Sequence, residues 1–177
     1  IASVTPKETS SSSDETIIDA KGMYVIPGLL DVHFHGCVGY DTCDASKEAF
    51  DKIAEYEGSE GVLAICPATM TYPEDKLSEI MDIAADYESP VGADFVGLHL
   101  EGPFINPVYN GRQKEECCLL PDVTVMEDLY NTFKNKKLCR HMTIAPERPG
   151  ADAVLRFCQE HQIQTAVGHS AATFEEI

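Results

Sequence analysis

Gly97-Leu98-His99-Leu100-Glu101-Gly102-Pro103-Phe104 is an apolar, strand-like run that ends in a carboxylate and is stopped by a glycine-proline pair. Burying a carboxylate at the end of a strand is costly unless it is paired or binds a cation. On its own, Glu101 is equally compatible with an exposed loop position. His99, two residues earlier, shares its face. Two other runs end the same way: Leu30-Asp31-Val32-His33-Phe34-His35-Gly36, and Ala166-Val167-Gly168-His169-Ser170. Three strand ends that each carry a metal-binding side chain point to one metal centre at one mouth of a parallel barrel.

Outward from these runs, strands and helices alternate. Strand-like segments fall at 29–34, 61–66, 94–100, 140–145 and 164–168. Helix-like segments fall at 46–59, with Asp44 as N-cap, at 73–87, with Pro73 in the first turn, at 122–135, and at 151–161, with Asp152 in the first turn. Strand starts are on average about 34 residues apart, a spacing that suits βα units of a parallel sheet. Continuous apolar runs such as Gly61-Val62-Leu63-Ala64-Ile65-Cys66 suit strands buried on both faces. Five units fill an open doubly wound sheet, or five-eighths of a (β/α)8 barrel. Ahead of them, Thr9–Asp14 reads as a polar loop, and Thr16–Ala20 and Met23–Ile26 as short β runs around Lys21-Gly22. Thr173–Ile177 reads as the first turn of a further helix. With Ile1 rather than methionine in front, the expectation is part of a longer protein.

Thirty acidic against 13 basic residues give a formal net charge of −17. That field repels nucleic acid and anionic lipid, so neither is an expected partner. A phosphorylated substrate would need a local pocket of donors. The seven cysteines are odd in number and form no CxxC pair, which argues against a structural zinc knuckle and for reduced, buried thiols. No signal peptide and no run of about 18 apolar residues is present, and a cytoplasmic location is expected.

His33 and His35, two apart on a strand, would project the same way and converge on one cation, with Gly36 leaving room beside them. The plainer alternative for such a pair is two hydrogen-bonded core histidines. His169 holds the same strand-to-loop position as Glu101. The donors are nitrogen and oxygen, which suits Zn²⁺, Fe²⁺ or Mn²⁺. His141, read as starting a strand at the opposite mouth, and His161, at a helix end, are expected to be structural. Gly168-His169-Ser170 lacks a nucleophile-elbow pattern, and there is no P-loop or GxGxxG.

Taken in order, Val25-Ile26-Pro27-Gly28-Leu29-Leu30-Asp31-Val32-His33-Phe34-His35-Gly36, His99-Leu100-Glu101-Gly102-Pro103-Phe104-Ile105-Asn106, Thr143-Ile144-Ala145-Pro146-Glu147 and Gly168-His169-Ser170-Ala171-Ala172-Thr173 resemble N-acetylglucosamine-6-phosphate deacetylase of the amidohydrolase superfamily. The first motif is common to the superfamily; the LEGPF and GHSxAT runs narrow it. The resemblance implies a metal-dependent (β/α)8 TIM-type barrel beside a small β-sandwich. Residues 1–25 would be a remnant of the sandwich and 26–177 the first part of the barrel. It implies Glu101 and His169 as ligands of the principal metal, His33 and His35 as holders of a second ion, zinc or iron as the metal, and His99 as a supporting group. Arg112 and Gln113 fall in the segment that contacts the amino-sugar phosphate; many members carry histidine where Gln113 stands. The third principal ligand and the catalytic aspartate are expected beyond Ile177, so no residue here is assigned as catalytic. Asp31 and Asp41 are rejected for that role. The implied reaction is hydrolysis of the acetamide of N-acetylglucosamine 6-phosphate, by a homodimer when complete. The alternatives are an amidohydrolase acting on a cyclic amide or nucleobase, or a non-catalytic, metal-binding or associating chain.

Overall fold

The α-helices among the described residues each bury an apolar stripe, and two of them are closed by a side-chain cap. A computed structural model describes residues 16–177. Strand β1 (Leu29–Asp31) is followed by a two-stranded antiparallel hairpin, β2 (Gly36–Cys37) and β3 (Tyr40–Asp41), which the sequence did not announce. Gly36 serves that hairpin rather than making room for the histidines: a Cβ there would lie 2.1 Å from the Tyr40 carbonyl oxygen. Helix α1 (Lys47–Ser59) is capped by Ser46, whose hydroxyl accepts from the Ala49 amide at 3.2 Å. Asp44, the expected cap, instead closes a 3-10 turn by accepting from the Asp41 amide.

Strand β4 (Val62–Ile65) leads to α2 (Glu74–Ala85), which Pro73 precedes as N-cap. Leu77, Ile80, Met81 and Ala84 of α2 are buried at helical spacing. The third strand is broken at Val96-Gly97 into β5 (Asp94–Phe95) and β6 (Leu98–Glu101). Helix α3 (Val123–Thr132) is capped by Asp122, which accepts from the Thr124 amide at 2.8 Å. Strand β7 (Cys139–Ile144), helix α4 (Ala151–Glu160) and strand β8 (Gln164–Val167) follow, and a 3-10 turn at Phe174–Glu176 ends the chain.

The parallel pairings run β1-β4-β5 and β6-β7-β8. The break in the third strand is bridged by hydrogen bonds from Val96 N–H to Ile65 O and from His99 N–H to Pro67 O. Strand order therefore follows sequence order, an α/β fold with parallel sheets and no switch point among the described strands. Leu98, Leu100, Met142 and Ile144 pack with residues of α2, α3 and α4 in the main core. Each such side chain contributes on the order of 1.5–3 kcal/mol by leaving water. Ile53 and Ala54 of α1 form a smaller cluster with Val62, Ile65 and Ala93.

Three further expectations are corrected. Thr16–Ala20 and Met23–Ile26 form no strand; the chain turns once, with Met23 N–H donating to Ala20 O, and no strand among the described residues takes up their backbone bonds. His33 and His35 lie just past the end of β1 rather than on it, although Cys66 and Ala68 amides bond to Asp31 and Phe34 carbonyls there. His141 is interior to β7, paired with His99, and not at the opposite mouth. The Thr9–Asp14 loop, with residues 1–15, lies outside the described residues.

Candidate metal centre

The ends of three strands, β1, β6 and β8, bring three imidazoles and one carboxylate together. Glu101 closes β6 and is 5 % exposed. Its Oε1 lies 3.1 Å from His33 Nε2 and 3.0 Å from His169 Nε2; its Oε2 lies 3.1 Å from His35 Nε2. The ligand atoms of His33, His35 and Glu101 all fall within 4.8 Å of one another. Two ligands bonded to one ion at about 2.1 Å and at right angles sit about 3.0 Å apart, so these separations suit a shared coordination shell as well as they suit hydrogen bonds.

The far side of each ring decides what the near side can do. His169 Nδ1–H donates to the Tyr109 carbonyl at 2.8 Å, and His35 Nδ1–H to the Ala68 carbonyl at 3.3 Å. Each neutral ring then presents a bare Nε2 lone pair to a carboxylate oxygen. Lone pair against lone pair is repulsive, so each pair needs a proton or a cation between its atoms. Protonating all three rings would place three positive charges around one negative group. A divalent ion beside Glu101 satisfies these lone pairs with neutral imidazoles; His33, His35 and Glu101 are close enough to share one, and His169 stands outside that group. The grouped donors, two imidazoles and one carboxylate, fit such an ion, and His169 offers a third imidazole to Glu101 Oε1.

Protons partly do that work without an ion. The His35 pKa is raised, chiefly by its hydrogen bond to Glu101, against the opposing effect of burial. Burial works to raise the Glu101 pKa, but hydrogen bonds from His35 and His169 outweigh it and hold the carboxyl down at about 2.

The surrounding groups fix the pieces. Gln113 is buried; its Nε2 donates to Glu101 Oε2 while its Oε1 accepts from the Thr71 amide at 2.6 Å. Flipping the amide would set oxygen against carboxylate and N–H against N–H, so one orientation is enforced. The Thr71 hydroxyl donates to the Glu101 carbonyl at 2.7 Å. His99 spans three strands: Nδ1–H donates to Val32 O at 2.8 Å, and Nε2 accepts from the Thr143 hydroxyl at 2.8 Å. Burial pushes its pKa down to about 4, so it is neutral near pH 7. Gly111, at φ +61, leaves the His169 ring room; a Cβ there would meet its Cε1 at 3.4 Å.

His33, His35, Glu101 and His169 thus come together, with His99 against the His33 ring at 4.6 Å between centroids. Arg112 is exposed on the loop whose next residue, Gln113, is buried. Asp31 and Asp41 stay outside: Asp31 accepts from the His33 amide, and Asp41 caps the 3-10 turn. Thr71, Tyr109 and Asn106 carry no sequence signal for their parts, which depend on backbone groups meeting across loops.

No family model matches the chain. An N-acetylglucosamine-6-phosphate deacetylase from Lysinibacillus sphaericus is 30% identical over 162 residues, 90% of this chain and 41% of that protein. The crystal structure of such a deacetylase from Thermotoga maritima is 33% identical at a TM-score of 0.71, covering 85% of this chain and 39% of that one. The one from Mycobacterium smegmatis is 26% identical at a TM-score of 0.76, with the same coverage. The chain spans about two-fifths of the length of these relatives. Over that span it is similar in sequence and fold to the N-acetylglucosamine-6-phosphate deacetylases of the amidohydrolase superfamily.

Proposed function

We propose that this chain contributes to a metal-dependent hydrolase that removes the acetyl group of N-acetylglucosamine 6-phosphate, giving glucosamine 6-phosphate and acetate. The observation that carries this reading is the convergence of His33, His35 and His169 on Glu101. A bound divalent ion, zinc or iron, would supply an acidified water and a Lewis acid for the acetamide carbonyl. Glu101 and His169 would hold the principal ion, and His33 and His35 a second one, with Glu101 between them.

The chain's own groups do the preparing. Tyr109 O and Ala68 O keep the Nδ1 protons of His169 and His35 on the far side, so both Nε2 atoms face inward. Gln113 fixes the rotation of the Glu101 carboxylate; bonded in this way, it acts on the ligand, and Arg112 is left as the donor for the sugar phosphate in a chain of net charge −17. The resemblance assigns the proton-transferring aspartate and a further histidine ligand to residues other than 1–177. It also supports closure of the parallel strands into a TIM-type barrel, a sandwich that includes residues 1–25, a homodimer, and a cytoplasmic location. No helix among the described residues is long and apolar enough to cross a membrane.

The test is metal content after dialysis in the full-length protein. His169→Ala should lose the principal ion, and His33→Ala only a second one. The same preparations are assayed on N-acetylglucosamine 6-phosphate and on cyclic amides. Unchanged metal content in both variants would end the metal assignment, and turnover of a cyclic amide alone would move the protein to another substrate class.

A further inference from the structure

Glu147 lies in the loop between β7 and α4, and its side chain is hydrogen-bonded to Asn106, Ser170 and Ala171 rather than to a histidine. Its carboxylate nevertheless gathers three donors from two other loops: Asn106 Nδ2–H at 2.9 Å, the Ser170 hydroxyl at 2.7 Å and the Ala171 amide at 2.8 Å. The Asn106 backbone amide in turn donates to the His169 carbonyl at 2.9 Å. The residue bearing the imidazole is therefore bracketed, its own carbonyl held from one side and the next two residues from the other.

The bracket meets a need. His169 sits at φ +49, in the left-handed region that a residue with a Cβ adopts only where its surroundings hold it there. Ser170 and Ala171 follow without a strand or helix to anchor them. Hydrogen bonds to an ionised carboxylate are about twice as strong as neutral ones, and Glu147 is kept ionised, its pKa near 2 despite burial.

We propose that Glu147 is a positioning residue: through Asn106, Ser170 and Ala171 it fixes the backbone of His169, so that Nδ1–H meets Tyr109 O and Nε2 faces Glu101 before any ion arrives. This rests on the reading of His169 as a metal ligand. Glutamine at 147 keeps the shape but removes the charge, so the bonds from Asn106 and Ala171 weaken and the Ser170 hydroxyl must turn to accept from the amide.

The experiment uses the full-length protein as wild type, Glu147→Gln and Ser170→Ala. Three quantities are read: amide exchange at Ala171, the ¹⁵N shifts of the His169 ring in metal-free protein, and Co²⁺ affinity by chelator competition. Glu147→Gln should speed Ala171 exchange, move the His169 ring shifts as Nδ1–H leaves Tyr109, and weaken Co²⁺ binding about 10- to 100-fold. Ser170→Ala should shift all three the same way by less, and it decides the matter if Glu147→Gln does not fold. Wild-type ring shifts and Co²⁺ affinity in the folded variants would overturn the proposal, even with faster Ala171 exchange. If wild type itself takes up no Co²⁺, the metal reading falls, and the ring shifts alone decide: movement upholds the bracket, and constancy overturns it.

Discussion

The two faces of the β6–β7–β8 sheet share one backbone and follow different chemistry. Toward the helices, Leu100 pairs with Met142, both about 1 % exposed or less, in a layer closed by α2, α3 and α4. Toward the other side, His99 pairs with His141 and Glu101 with Thr143. The outer row is held by contact area, which has no direction and tolerates exchange of shape. The inner row is held by named bonds, His99 to Thr143 and to Val32, and Glu101 to His33, His35, His169 and Gln113. One face sets whether the chain folds; the other sets what a folded chain presents.

The sharpest way to break this division is a cavity in the outer row. Met142→Ala should cost about 2–5 kcal/mol of stability by denaturant titration, with Co²⁺ affinity of the remaining folded protein unchanged. Equal damage to both would mean the faces are not separable. A smaller effect is expected inside. Thr143→Val keeps the volume but removes the hydroxyl that His99 Nε2 accepts, at a cost of about 1–3 kcal/mol for a buried unpaired nitrogen. Thr143→Ser should restore most of it; a serine as damaging as valine would show that packing, not the hydroxyl, matters there.

The smallest effect belongs to the rim, where Glu147 joins three loops. Burial opposes ionisation there, but its hydrogen bonds win and hold the carboxyl at about 2, against 4.5 for an ordinary glutamate. The folded value lies below the unfolded one, so the stabilisation is complete above about pH 4.5 and is lost as pH falls toward 2. Across that window metal-free wild type should lose stability more steeply than Glu147→Gln. Parallel slopes would mean the three bonds contribute nothing to folding.

Much of the fold was legible because period and punctuation agree. Leu77, Ile80, Met81 and Ala84 mark α2 by spacing alone, and the five strand segments appear within a few residues of their expected places. The four ligand candidates were legible because each ends an apolar run. Three things were not. The Gly36–Asp41 hairpin depends on a backbone approach that no periodicity reports. Ser46 rather than Asp44 caps α1, because both are good caps and only the local turn chooses. The bonds of Gln113 to Thr71 and Glu101 join residues 42 and 12 positions away, which no local pattern reports.

The interruption at Val96-Gly97 also fixes which face is which. Phe95 meets Phe50 and Tyr87 edge-on on the helix side, and Leu98, three residues later, lies on that side too. An unbroken pleat would send residues an odd number apart to opposite sides. The extra residue resets the phase, and only after that reset do His99 and Glu101 turn inward. Removing a single residue at 96–97 would place Leu98 two positions after Phe95, so a regular pleat would carry both to the helix side and leave the faces of β6 as they are. Straightening the segment at its present length would instead point the leucines into the site and the histidine and glutamate into the core, so the break in the strand is what keeps the site facing inward.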